Sequence, residues 1–93
     1  MYAQNATSTE PEHSPGLKYA EGLDAIIAKG HEFQSMVEAV HGNEVSEPII
    51  AGNYFSVGAV IDLTMKGIGR VTMTEVAVYK VADGKVVSEE FFY

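Results

Sequence analysis

Ninety-three residues, 46% of them hydrophobic, suffice for one domain spanning 1–93 and leave no room for a second, since a chain this short buries roughly two-thirds of its unfolded surface. Thirteen acidic against six scattered basic residues give a net charge of −7, which excludes a nucleic-acid phosphate backbone as a partner. With no cysteine, disulfides and thiolate chemistry are excluded, and with no apolar run of about 18 residues and no basic-then-apolar start, a cytoplasmic protein without membrane span or export signal is expected.

Ala3 to Thr9, rich in Thr and Ser, reads as a short strand ended by Pro11, which cannot donate a ladder hydrogen bond. Glu12 to Lys18, with Pro15-Gly16, reads as a turn-rich loop. From Leu23 the apolar residues Ile26, Ile27, Phe33, Met36, Val37 and Val40 recur at spacings of three and four, with Asp24, Lys29, Glu32 and Gln34 largely off the stripe. This predicts one surface helix of about 17 residues, ending near His41-Gly42 with Gly42 in the left-handed position past the last turn. Gly30, on the stripe, is expected to let a strand backbone approach closely.

After Gly42 the period changes from 3.6 to 2. Asn43 to Pro48 reads as a short strand and Ile49 to Met65 as a long one bent near Gly52 or Gly58. Arg70 to Val81 and Lys85 to Tyr93 follow. Lys66-Gly67-Ile68-Gly69 reads as a turn, and Ala82-Asp83-Gly84 as a tight hairpin turn, because Asp-Gly supplies the positive-φ positions twisted strands need. The result is an antiparallel meander with a helix across one face. Between Val71 and Val81 neither face is purely polar. A small domain with a sheet apolar on both sides most often covers the second side with another copy of itself, so a homodimer through the convex sheet face is expected.

Tyr2-Ala3-x-Asn5-Ala6-Thr7 with Glu10-Pro11, then Glu21-Gly22-Leu23-Asp24-Ala25-Ile26, then Val81-Ala82-Asp83-Gly84-Lys85-Val86, taken in this order, resemble the SnoaL-like group of the nuclear-transport-factor-2-like superfamily. That group holds proposed polyketide cyclases and ketosteroid-isomerase-type proteins. The resemblance implies an α+β, cystatin-like fold: a cone-shaped, curved antiparallel sheet packed against one long helix, its concave face a cavity for a small apolar, carbonyl-bearing molecule, with no cofactor. Family members carry one or two helices before the Tyr-Ala strand, and these are expected to be missing here.

The resemblance also implies site residues. Glu10 stands where isomerase members place the general base, and Ala77 stands where they place a protonated aspartate as oxyanion donor. Glu75, two residues earlier and of the same parity, could take that role, with Tyr79 assisting; alternatively Glu75 pairs with Arg70 or Lys66 near the rim. Glu89, Phe91 and Tyr93 correspond to cavity-lining positions on the last strand. Phe33 and Met73 would be core in any small domain and would line the pocket of a cone. Glu10 itself could be an ordinary acid at a strand end.

His13, three residues past Glu10, is the histidine nearest the proposed site. His31 and His41 are expected on the helix and at its end, and the three lack the spacing of a metal set. Asp62 shares a face with Tyr54, Ser56 and Thr64 and reads as solvated or dimer-facing, with a cavity role as the alternative.

Overall fold

The computed structural model of the protein describes residues 1–14 and 16–93. Strand β1 (Tyr2–Thr9) and the short β2 (Tyr19–Glu21) precede helix α1 (Leu23–Met36); β3 (Val37–Val45), β4 (Ile49–Ala51), β5 (Tyr54–Met65), β6 (Gly69–Ala82) and β7 (Lys85–Phe92) follow. One sheet holds all seven strands in the order β2-β1-β7-β6-β5-β3, with β4 on the same edge of β5 as β3. β5, β6 and β7 form the expected antiparallel meander. β1 joins it parallel to β7, so the sheet is mixed. Register shifts in β1/β7, β3/β5 and β6/β7 mark bulges, which bend strands and increase twist. The sheet curves but does not close, and β2 and β3 remain edges.

The Asp-Gly turn is as expected: Asp83 and Gly84 take φ of 53° and 75°. The loop from Glu12 to Lys18 is also present, although Pro15 of its Pro-Gly pair lies outside the described residues.

The helix ends earlier than its periodicity implies. Val37 is already extended, and Val37 to Val45 pair with β5, Val37 opposite Met65 and Val40 opposite Leu63. Val37 and Val40 satisfy a helical stripe and a strand equally well, and β-branched residues favour the strand once a partner edge is available. The Lys66 amide donates to the Met36 carbonyl at 2.9 Å, sealing the junction. Gly42 is therefore a strand residue without positive φ, and His41 sits in β3 with its Nε2 2.8 Å from Thr64 Oγ1. Gly30 meets no backbone, since a Cβ there would find nothing within 4 Å. The expected bend near Gly52 is a hairpin between β4 and β5, with Gly52 at φ 61°.

The helix starts at Gly22, whose φ of 92° turns the chain and whose amide donates to the Ala6 carbonyl at 2.7 Å. α1 crosses β1 and β2 on the face formed by the odd residues of β6. That face carries the core: Ala6, Ala20, Leu63, Ala77 and Val86 are buried, and among the described residues Leu63 is the one large apolar side chain sealed completely. No residue of α1 is fully buried, and Ile27 is half exposed. On the opposite face Tyr54, Val60, Val76 and Phe92 are each more than 40% exposed. Arg70 and Asp62 share this face and pair through two hydrogen bonds of 2.9 and 2.7 Å. Arg70 is thereby occupied on the outer face and is not the rim partner considered for Glu75.

Candidate functional site

Ser8 of β1 and Glu10, just past its end, reach the same group, both meeting the Lys29 ammonium. The parallel register sets Ser8 beside Glu89 of β7, and the antiparallel register sets Glu89 beside Tyr79 of β6. Lys29 reaches this group from α1. Six polar side chains then join in one line. Tyr2 donates to Glu89 Oε1, Ser8 Oγ donates to Glu89 Oε2 at 2.7 Å, and Lys29 Nζ donates to Ser8 Oγ at 2.7 Å and to Glu10 Oε2 at 2.5 Å. Tyr93 closes the line by donating to Glu10 Oε1 at 2.7 Å.

The group is largely dry. Ser8 is fully buried, Glu89 nearly so, and the Lys29 and Glu10 side chains are 12% and 15% exposed. Carboxylates so enclosed persist only with donors or counter-charges, and each has them here. Aromatic rings frame the polar line: Lys29 Nζ lies 5.1 Å from the Phe91 ring centroid, His13 meets Tyr93 edge-on at 5.5 Å, and Phe55 stacks on Tyr79 at 4.8 Å. Burial, reinforced by the neighbouring carboxylates, pushes the hydroxyls of Tyr2, Tyr79 and Tyr93 above the usual phenol range, so all three remain donors at neutral pH.

Glu75 lies on the same face of β6, half-buried. Desolvation raises its carboxyl above the ordinary range, the charges of Glu10 and Glu89 raise it further, and Lys29 opposes them. A fold that raises an acid's pKa disfavours its ionised form. Stability from this residue is therefore fullest below the unfolded-state value and falls as pH rises through the folded one. Glu75→Gln is expected to raise the melting temperature at neutral pH by about 1–5 °C, a screened and half-exposed effect. The gain should vanish in acid; parallel thermal melts across pH test it, and an equal gain at every pH would contradict it.

Of the residues expected at the site, Glu10, Tyr93, His13, Glu89 and Phe91 are brought together directly. Tyr79 and Glu75 flank them on β6, while Ala77 is buried and offers no donor. Phe33 and Met73 are half-buried, outside the hydrogen-bonded line. His31 is exposed on α1, and Asp62 faces outward. Three members were missed: Tyr2, Ser8 and Lys29. Lys29 had been set off the helical stripe, yet Ile26, Lys29, Phe33 and Met36 recur at spacings of three, four and three, so its position on the buried face was readable.

An apolar cavity at Glu10 is not established among the described residues; the side chains there form the enclosed hydrogen-bonded line. Of two recesses elsewhere, one of about 710 Å³ runs along β3, β5 and β6 past Glu75, and one of about 510 Å³ lies beneath the β4–β5 hairpin. Neither is lined by Glu10, Lys29 or Glu89. Among the described residues no helix is long and apolar enough to cross a membrane.

Comparison with known proteins supplies a family. The profile of the SnoaL-like domain matches residues 1–93. A SnoaL-like protein from Mesorhizobium loti, proposed in its name to be a polyketide cyclase, is 35% identical with a TM-score of 0.91, over 99% of this chain and 78% of that one. A Burkholderia pseudomallei nuclear-transport-factor-2-like protein of unknown function shares the fold at 23% identity and TM-score 0.85, over 99% and 72%. So does a ketosteroid-isomerase-like protein from Catenulispora acidiphila in complex with trimethylamine, at 19% and 0.82, over 99% and 68%. Among curated proteins no sequence matches. With its full length covered by the profile and more than a third of its residues shared with the Mesorhizobium protein, the chain belongs to the SnoaL-like domain family.

Proposed function

We propose that the helix-side face binds a small, largely apolar, carbonyl-bearing molecule and moves a proton on it, as an isomerase or cyclase would. Glu10 is the base, and Glu75 or Tyr79 donates to the carbonyl oxygen. The observation that carries this reading is the placement of Glu10. An ionised carboxylate has about four acceptor positions, and Lys29 and Tyr93 occupy one on each oxygen, leaving lone pairs for a substrate proton. Glu75, whose carboxyl is raised by burial and by the charges of Glu10 and Glu89, is assigned the donor role that Ala77 cannot fill. The likeness to a protein proposed to be a polyketide cyclase supports the same class of chemistry. The test is exchange of the α-hydrogens of apolar cyclic ketones in D2O, followed by proton NMR for the native chain and for Glu10→Gln. Native protein that accelerates no exchange sinks the catalytic reading.

The outer sheet face favours a second role, association of two copies. Tyr54, Val60, Val76 and Phe92 present apolar surface there on adjacent strands, and a self-complementary patch suits a two-fold dimer. Val76→Lys places a charge inside that patch. It is expected to convert a dimer into a monomer in sedimentation at micromolar concentration, while native protein of monomeric mass would remove the proposal.

A further inference from the structure

Proton removal next to a carbonyl leaves negative charge on the oxygen, and a hydroxyl donor such as Tyr79 answers only part of it. One cation stands within reach of Glu10. Lys29 is held at 2.5 Å from Glu10 Oε2 and 2.7 Å from Ser8 Oγ, with 12% of its side chain exposed. Its direction is fixed from behind: Ser8 gives its own proton to Glu89, so it can only accept from Lys29. An ammonium has three N–H donors. Two are used, and among the described residues no third acceptor meets Nζ; the Phe91 ring lies beside it at 5.1 Å. An N–H adjacent to the base, in a low-dielectric setting, is placed to meet charge that develops on an oxygen bonded to the reacting carbon.

We propose that Lys29 binds the anionic oxygen of an enolate, and of phenolates that mimic one. The proposal rests on the proton-transfer reading of Glu10. In the step, Glu10 takes the proton α to the carbonyl, the C–H electron pair forms the carbon–carbon double bond, and the carbonyl π pair moves to oxygen. The third Lys29 N–H hydrogen-bonds that oxygen. The proton then returns from Glu10 to a carbon of the enolate, the carbonyl re-forms, and Lys29 stays protonated throughout, so no co-reactant is needed.

The probes are 4-nitrophenolate, at a pH where it is ionised, and its neutral methyl ether, 4-nitroanisole, titrated calorimetrically into the native chain, Lys29→Met and Lys29→Arg. Native protein is expected to prefer the phenolate. Lys29→Met should weaken phenolate binding by about tenfold to a hundredfold, the range of one charge-assisted hydrogen bond, with the ether unaffected. Lys29→Arg should retain most of the preference. Unaltered ether affinity shows that the face is intact, and if Lys29→Met does not fold, Lys29→Gln carries the same comparison. Native protein without a phenolate preference, or a Lys29→Met variant that keeps it, overturns the proposal. The two readings fail separately: ketone exchange unaffected by Glu10→Gln removes the base while leaving the anion site, and an unchanged phenolate affinity removes the anion site while leaving the base.

Discussion

Glu10→Gln is expected to slow α-deuterium exchange of a bound cyclic ketone by about 10²–10⁴-fold, the usual contribution of a positioned general base. The substitution is nearly isosteric. Its amide oxygen can still accept from Lys29 or Tyr93, so the hydrogen-bonded line that fixes the residue survives in part. What disappears is an oxygen able to hold a proton. Ketone affinity should change little, because removing a group that acts in the transition state lowers turnover without touching ground-state binding. A tenfold or smaller loss of exchange would mean that another group, with Glu75 the next candidate, removes the proton. An equal loss in affinity and rate would mean that Glu10 merely shapes the face.

The parts of this fold legible in the sequence are those fixed by local chemistry. Asp83-Gly84 demands its turn whatever surrounds it, and the alternation along β6 sorts Glu75, Ala77 and Tyr79 from Thr74 and Val76 without reference to a partner. Val37 and Val40 are ambiguous because their spacing of three is helical while their β-branched side chains favour a strand, and only the β5 edge decides between the two. The parallel pairing of β1 with β7 joins residues some 80 apart in the chain, and no local signal encodes it. That pairing builds the site. Glu10, Glu89, Tyr93 and His13 could be named from the resemblance and from proximity in sequence, but the partners of Glu89, Tyr2 and Ser8, reach it only when β1 arrives beside it. Lys29 is the instructive miss: a charged residue on an apolar stripe reads as a solvated neighbour unless an acid waits on the facing strand.

Glu89→Ala is expected to cost about 2–4 kcal/mol of folding stability, since it strips the acceptor from two donors at once and leaves each with a desolvation penalty. Ser8, fully buried, has no water to turn to, and Tyr2 is half enclosed. The loss falls at a vulnerable seam. β1 and β7 pair with a broken register between Tyr2 and Thr7, and Glu89, accepting from Tyr2 on one side of the break and Ser8 on the other, ties the two paired segments together. Urea unfolding should show a lower midpoint at unchanged slope, and the melting temperature should drop by about 10–25 °C. Glu89→Gln keeps one acceptor oxygen and should lose about half as much. Tyr2→Phe in the Glu89→Ala background should add almost nothing, because the bond it deletes is already gone. A loss under about 0.5 kcal/mol, the range of an ordinary surface change, would show that water takes over Glu89's role and that β1 is held by its backbone alone.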